Sequence, residues 1–144
     1  MTIEKEVISK VVNHGERIDR LETLEFGGGG PHQTLLAQVN VTPAALLARV
    51  KLLPGTGYTY TVNAWGLGAD QSGSVAIQIW MDTDANYPPT VADLIGTITI
   101  TGDDHASGTP AGWTTDQIPH GNWLFFYCTT ATDIEIVTLA LELI

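Results

Sequence analysis

The chain has 144 residues, which is enough for one domain of ordinary size and a short appendage. It carries 16 Asp or Glu against six Lys or Arg, so its formal net charge at pH 7 is −10. All the basic residues lie in the first 51 positions, and residues 52–144 contain none. Because affinity for nucleic acid and for anionic membranes depends on positive charge, neither is an expected partner.

The sequence shows no export or membrane signal. The first residues, MTIEKEVISK, include acids and lack the apolar stretch of about 7–15 residues that a signal peptide needs. No segment approaches about 18 uninterrupted apolar residues, so no membrane span is predicted. The single cysteine, Cys128, cannot form an intrachain disulfide and is predicted to be a buried apolar residue. We therefore expect a product that is made in the cytoplasm and stays soluble.

Residues 1–26 are predicted to form an amphipathic helix. Residues 3–25 contain no Pro, and apolar positions recur at steps of four and three, as the a and d positions of a coiled coil do. The predicted a and d residues are Val7, Val11, His14, Ile18 and Leu21. The glycine run that follows makes residues 27–33 a flexible linker, which cannot hold the helix against its own domain. The apolar stripe is therefore predicted to pack against other copies of the chain.

The stretch RIDRLE indicates how many copies associate. Arg17 takes position g, Ile18 position a, Leu21 position d and Glu22 position e, so Arg17 can reach Glu22 of a neighbouring chain. This pattern resembles the trimerisation motif of short parallel coiled coils, and it predicts a homotrimer. His14 at a core position is interpreted as a polar layer that sets the register, and the alternatives are a pH switch or a metal ring on the axis.

From residue 34 onward the apolar period changes from helical spacing to two, which is typical of strands. The predicted strands are 34–41, 48–53, 56–66, 74–82, 96–102, 123–129 and 134–143. Turn chemistry separates them, as in PGTG, GADQSG, DTDANYPP and TGDDHASGTPAG. AALLARV has a helical turn as its alternative. Residues 34–144 are thus predicted to form an antiparallel β-sandwich or jelly roll, and the whole chain to be mainly β after its helix.

Two predicted strands are apolar on both faces, whereas a sandwich strand usually keeps one face in water. In WLFFYCT, Trp123, Phe125 and Tyr127 face one way and Leu124, Phe126 and Cys128 the other. In the last strand one apolar face, which is predicted to point into the core, consists of Val137, Leu139, Leu141 and Leu143, and the second consists of Ile134, Ile136, Ala140 and Ile144. We interpret these second faces as contacts with a neighbouring subunit, and the four residues of the last strand are the predicted intersubunit face.

A resemblance follows from RIDRLE, GGGG and the pattern SGSVAIQIWMDTD…LIGTITITGD…GWTTDQIP…NWLFFYCTTATDIEIVTLALELI. A short coiled coil, a glycine joint and a small trimeric β-knob resemble the fibre, spike and capsid-decoration proteins of tailed bacteriophages. The resemblance implies a virion structural protein made in the host cytoplasm, either a capsid decoration protein, a head fibre or a short tail fibre. Its implied partners are itself and other virion proteins, such as the major capsid or tail proteins.

Tryptophans suggest a second function, recognition of a glycan on the host surface. Trp65, Trp80 and Trp113 fall on polar-facing or loop positions, where aromatic rings beside Asp, Asn and Gln suit sugars. Trp80 beside Gln78 and Trp113 in AGWTTDQ are the candidate glycan contacts. Packing at subunit contacts or under loops is the alternative for these rings. A carbohydrate-binding receptor module is therefore the second hypothesis for function.

Metal binding is not predicted. Asp82 to Asp93 begins like a calcium loop, but position 6 is Tyr87, two prolines follow, and the last acid is the shorter Asp, so an acidic turn is the better interpretation. Asp103, Asp104 and His105 are adjacent, and adjacent turn residues point in different directions. No second cluster of ligand residues accompanies them, so neither a metal nor a cofactor is expected.

Catalysis has little support in the sequence. It contains no P-loop, no H-E-x-x-H, no dinucleotide fingerprint and no G-x-S-x-G elbow, and Cys128 lies in an apolar strand. A pair of carboxylates for glycoside hydrolysis is assembled in space, so a small glycan hydrolase is the third hypothesis. The chain is predicted to bind rather than to catalyse.

Overall fold

A computed structural model describes residues 24–26, 33–52 and 57–144, with side chains from residue 33 onward. The strands are β1 (Leu24–Phe26), β2 (Gln33–Asn40), β3 (Ala45–Leu52), β4 (Thr59–Asp82), β5 (Leu94–Gly108), β6 (Gln117–Pro119), β7 (Trp123–Thr132) and β8 (Ile136–Leu143). Two short 3-10 turns, Asp84–Asn86 and Val91–Asp93, lie between β4 and β5. The described part of the chain is mainly β, as predicted, and none of its helical turns is long enough to cross a membrane.

The predicted coiled coil falls mostly outside the described residues, as do Val7, Val11, His14, Arg17, Ile18, Leu21 and Glu22. Its last three residues are described, and there the prediction was wrong. Leu24–Phe26 forms β1, which pairs in parallel with Val50–Leu52 of β3. The alternation of apolar and charged residues in LEF suits a strand, and an available edge of β3 satisfies its backbone groups.

The sheet curls because β4 is shared between two groups of strands. The strand order is β1-β3-β7-β4-β8-β2, and β5 runs along the other side of β4. The first part of β4, 62–69, pairs with β8, and the second part, 74–82, pairs with β7. We call β2, β8 and the first part of β4 the β8 half-sheet, and β1, β3, β7 and the second part of β4 the β7 half-sheet. Every pairing except that of β1 with β3 is antiparallel.

A corner in the β4–β5 ribbon joins the half-sheets. Between the pairs Gly68–His105 and Gly73–Asp103, β4 advances by more residues than β5, so its backbone bulges. At Gly73 a Cβ atom would lie 2.2 Å from the Thr132 carbonyl oxygen, so only glycine fits. Gly102 takes a φ of +60° and donates its N–H to the Ser74 hydroxyl at 3.0 Å. The predicted turns GADQSG and TGDDHASG are therefore wrong as chain reversals, because Gly, Asp and Ser here bend two continuous strands.

The inner faces of both half-sheets point into one hydrophobic core. Its largest fully buried side chains are Phe126, Leu35, Leu52, Ile77, Ile79, Ile98, Ile100, Ile118, Leu124 and Leu139. The predicted inner face of the last strand is confirmed, since Val137, Leu139, Leu141 and Leu143 are all buried. Cys128 is also buried as predicted, and desolvation raises the pKa of its thiol. AALLARV belongs to β3 from Ala45 onward, so its helical alternative was wrong.

Candidate binding surfaces

The outward side of the β7 half-sheet carries three rows of large side chains. Strand register places Leu46, Tyr127 and Gln78 in the first row, Arg49, Phe125 and Trp80 in the second, and Lys51, Trp123 and Asp82 in the third. We call these nine residues the aromatic face. The side chains alternate with the buried ones of the same strands, as the period of two requires. The predicted second face of WLFFYCT is thus real and spans three strands.

Two rings of the aromatic face lie against each other. The Trp80 and Tyr127 rings stack with centroids 4.7 Å apart and planes inclined by 19°. The Trp80 indole N–H donates to the side-chain amide oxygen (Oε1) of Gln78 at 3.0 Å, which fixes the ring. Both rings are only half-buried, and Leu46 beside them is 37% exposed. This end of the face therefore leaves a continuous apolar surface in water.

The connection from β4 to β5 covers the other end of the aromatic face. The Tyr87 ring lies 4.7 Å from Trp123 and 5.6 Å from Phe125, and Phe125 is buried. Asp84 accepts the Trp123 indole N–H at 2.9 Å and pairs with Lys51 at 3.2 Å. These two donors lower the pKa of the Asp84 carboxyl, the indole hydrogen bond having the larger effect.

Positive charge is confined to the aromatic face in the described part of the chain, where Arg49 and Lys51 are the only Lys or Arg residues. The Arg49 guanidinium lies 6.0 Å from the Phe125 ring centre, and one of its NH₂ groups donates to the Tyr87 hydroxyl at 3.1 Å. The Lys51 ammonium lies 5.7 Å from the Trp123 ring centre. Both cations thus lie over aromatic rings in a body that is otherwise acidic.

The outward side of the β8 half-sheet, which we call the β8 face, is flatter and more polar. Register places Leu36, Ala140, Gly66 and Ser107 in one row and Gln38, Thr138, Gly68 and His105 in the next. A Cβ atom at Gly66 or Gly68 would meet no other atom within 4 Å, so this surface is open. Of the predicted intersubunit residues, Ile136, Ala140 and Ile144 are half-buried, whereas Ile134 lies in the core of its own chain.

A cleft of about 380 Å³ opens beside β5, and its walls include the indole rings of Trp65 and Trp113. Its lining residues are Trp65, Leu94, Ile95, Gly96, Thr97, Thr109, Ala111, Gly112, Trp113 and Thr114. None of them is ionisable. We call this cavity the Trp65–Trp113 cleft.

The structure separates the two candidate glycan contacts. Trp113 lines the cleft with Trp65, whereas Trp80 lies on the aromatic face, stacked on Tyr127. Sequence reasoning did not select Trp65 as the partner of Trp113. The sequence signal that could have identified this pair was the two glycines within strand β5. Gly96 and Gly108 have no side chain, so the rings of Trp113 and Trp65 can lie directly on the backbone there.

The two acidic segments, residues 82–93 and 103–105, use their carboxylates in local hydrogen bonds. Asp82 accepts the backbone N–H of Thr83 at 2.7 Å, and Asp93 accepts that of Thr90 at 2.8 Å, closing a capping box. These bonds agree with an acidic turn rather than a calcium loop. In the second segment, the ligand atoms of Asp103, Asp104 and His105 lie within 4.8 Å of one another, so the expectation that these adjacent side chains point in different directions was wrong, and all three residues are exposed.

Hydrogen bonding within that second segment explains its titration. The His105 ring lies 2.7 Å from an Asp104 carboxylate oxygen, which raises the pKa of His105 and lowers that of Asp104. These three exposed residues form a local ion pair, in which His105 lies beside Asp103 and Asp104. Such an arrangement is not by itself evidence of a metal site.

Comparison with known proteins yields only weak likenesses. No family model and no curated protein matches the chain. Among solved structures, a CBM4 carbohydrate-binding module is 16% identical over 72% of this chain and 66% of its own, with a TM-score of 0.34. RmlC from Streptococcus suis, in complex with dTDP-D-xylose, is 12% identical over 78% and 44%, with a TM-score of 0.27. The decameric BFDV capsid protein is 9% identical over 78% and 94%, with a TM-score of 0.23. Scores this low establish no function.

Proposed function

We propose that the chain is a non-enzymatic structural protein of a phage virion, a homotrimeric capsid decoration protein, head fibre or short tail fibre. Residues 34–144 form its β-sandwich knob, of jelly-roll type, and residues 1–23, which precede β1, align three chains. The proposal is carried by one observation, the aromatic face, which a single chain leaves partly in water. Its partners are two further copies of itself and other virion proteins, and its location is the particle surface.

The composition of the aromatic face suits a permanent protein contact. Aromatic residues and Arg are enriched at interface cores, and most charged residues are depleted there. Four aromatic rings, Leu46 and Arg49 follow this composition, and the other two charged residues of the face, Lys51 and Asp82, lie in its third row, at the end that the β4–β5 connection covers. Contiguous exposed apolar surface on a small domain marks an interaction site, and a second copy that covers it would remove it from water.

Binding rather than catalysis is proposed because the cleft and the titratable groups lie apart. The lining of the Trp65–Trp113 cleft contains no acid, base or nucleophilic cysteine or serine. The Asp103–Asp104–His105 group is exposed and bonded within itself. General acid–base chemistry needs such groups at the place where the substrate binds.

The mass of the purified protein in solution tests the trimer. Size-exclusion chromatography with light scattering should give about 46 kDa, three times the chain mass of 15.4 kDa. A mass near that of one chain at micromolar concentration would remove the basis of the proposal. Cryo-electron microscopy of the parent particle would then show the location, with density expected in groups of three on the capsid or tail.

Glycan recognition by the knob is a second candidate function, favoured by the Trp65–Trp113 cleft. Two indole rings line this one cavity, and its volume of about 380 Å³ falls within the range of small-molecule sites, about 300–1,000 Å³. Binding of the trimer to an array of bacterial surface glycans tests this function. Binding that is indistinguishable from that of an unrelated acidic protein would reject it.

A further inference from the structure

We propose that the Trp65–Trp113 cleft binds a neutral saccharide, with a sugar ring lying against the indoles and its hydroxyls bonded to the lining threonines. The inference rests on the second candidate function, glycan recognition, and assigns it to one place. Neither Trp80 nor any other residue of the aromatic face lines the cleft. The inference does not depend on where the protein sits in a virion.

The fold builds the cleft by bending β5. Gly96 and Gly108, which lie next to the two indoles, are twelve residues apart on this one strand. A straight strand would separate them by about 40 Å, at about 3.3 Å per residue. The corner at Gly73 and Gly102 turns the strand, so the start of β5 and Thr109, the residue after its end, line the same cavity. The cleft is therefore a product of the curl that joins the half-sheets.

Both indoles are held in place before any ligand arrives. A Cβ atom at residue 96 would lie 2.4 Å from the Trp113 ring, and one at residue 108 would lie 2.8 Å from the Trp65 ring. Each indole thus lies directly on a glycine backbone. The Trp65 N–H donates to the Thr109 carbonyl at 3.1 Å, and the loop that carries Trp113 is tied to β5 by Thr114 N–H donating to the Ile95 carbonyl at 2.8 Å. A ligand would not have to order these rings, which reduces the entropy lost on binding.

The lining selects a ligand that is apolar on one side, polar at its rim and uncharged. Indole rings offer flat apolar surfaces, and Thr97, Thr109 and Thr114 contribute hydroxyls that both donate and accept hydrogen bonds. A sugar ring has this combination, with C–H groups on a face and hydroxyls around its edge. A purely apolar ligand would make no use of these hydroxyls, which are exposed to water. Phosphorylated or acidic ligands would meet no cation in the lining and a body rich in acids.

Trp80 is a poorer platform for a sugar in this molecule. It is not among the residues that line the cleft with a second indole; its ring stacks on Tyr127 and its N–H donates to the side-chain amide oxygen of Gln78. Its neighbours on the strand, moreover, belong to the face proposed to meet another subunit. The two tryptophans that the sequence could not distinguish therefore have different roles.

Saturation-transfer difference NMR with free sugars tests the inference site by site. The probes are glucose, galactose, N-acetylglucosamine, lactose and chitobiose, added to the full-length protein at millimolar concentration. At least one should bind the wild type, and Trp113→Ala should weaken that binding by about tenfold or more. Thr114→Val keeps the shape of the lining and removes one hydroxyl, so it should weaken binding severalfold without unfolding the chain. Thr130→Val, which removes the same hydroxyl from an exposed threonine of β7 outside the lining, is the control.

The outcomes separate the inference from the function on which it rests. If Trp80→Ala removes binding and both Trp113→Ala and Thr114→Val retain it, the cleft assignment is wrong and glycan recognition stands. If the wild type binds none of the neutral sugars, and binds no neutral glycan on an array, both are wrong. Thermal melting of each variant accompanies the titrations, and Thr114→Val decides the matter if Trp113→Ala does not fold.

Discussion

The outer surfaces of the two half-sheets differ more than their inner ones. Inside, both contribute branched aliphatic and aromatic side chains to one core. Outside, the aromatic face carries Trp80, Trp123, Phe125 and Tyr127, whereas the β8 face centres on Gly66, Gly68 and Ala140. In the proposed trimer each copy presents two different surfaces to its neighbours, and the more apolar surface loses more apolar area to burial on assembly. The comparison therefore favours the aromatic face as the main subunit contact and gives the β8 face a lesser part.

A charge in the middle of the aromatic face should have the largest effect. Tyr127→Glu would place a carboxylate beside Leu46 and Trp80, where a second copy would bury it without a partner, at a cost of about 3–5 kcal/mol per subunit. The expected result in light scattering is a fall from trimer to monomer mass. Thr99→Glu is the matched control, since Thr99 is exposed on β5. A trimer that survives Tyr127→Glu unchanged would show that the aromatic face is not the contact.

Ala140→Asp makes the same test on the β8 face. Its side chain is half-buried between Leu36 and Gly66, so a carboxylate is expected to weaken the trimer by less than Tyr127→Glu does. The measurement is the concentration at which each variant dissociates in analytical ultracentrifugation. If Ala140→Asp dissociates more readily than Tyr127→Glu, the order of the two faces is reversed.

Adding one methyl group should lower the melting temperature at the cleft and leave it unchanged on the β8 face. Gly96→Ala would push its Cβ into the Trp113 ring, with an overpacking cost of about 1–3 kcal/mol and loss of sugar binding. Gly66→Ala adds the same methyl group where the surface is open, and its melting temperature should stay close to that of the wild type. Equal melting temperatures for the two variants would mean that Trp113 does not rest on Gly96.

The smallest expected effect concerns pH at the covered end of the aromatic face. The pKa of Asp84 is lowered from 3.8 by Trp123 and Lys51, so its bonds add stability above the ordinary pKa and lose it as pH falls through the lowered one. Because Asp84 is exposed, solvent screens the interaction and the gain is small. Asp84→Asn should melt slightly below the wild type at neutral pH, and the difference should vanish as pH falls through the lowered pKa. A difference that is constant with pH would exclude the carboxylate as its cause.

Local pattern predicted the strands better than it predicted where they turn. Alternation in IEIVTLALEL identified the buried face of β8, because a period of two depends on neighbouring residues alone. The prediction of a turn at GADQSG was wrong. Gly73 is required there because the Thr132 carbonyl, on a strand distant in sequence, lies too close to leave room for a side chain. The pairing of Trp113 with Trp65 likewise required the bend in β5. What depends on chain curvature is not contained in a window of sequence.

The continuity of β4 has a consequence for folding. Since β4 pairs with β8 at one end and with β7 at the other, opening of β4 along its whole length removes backbone partners from both half-sheets. These pairings join residues far apart in the chain, and such topologies fold slowly, in milliseconds to seconds. Until these pairings form, the aromatic side chains and the unpaired strand edges are exposed to other chains. Aggregation is therefore a risk when many copies fold at high concentration. Amide exchange in the native state should accordingly show the slowest protons of β7 and β8 opening together, as one cooperative unit.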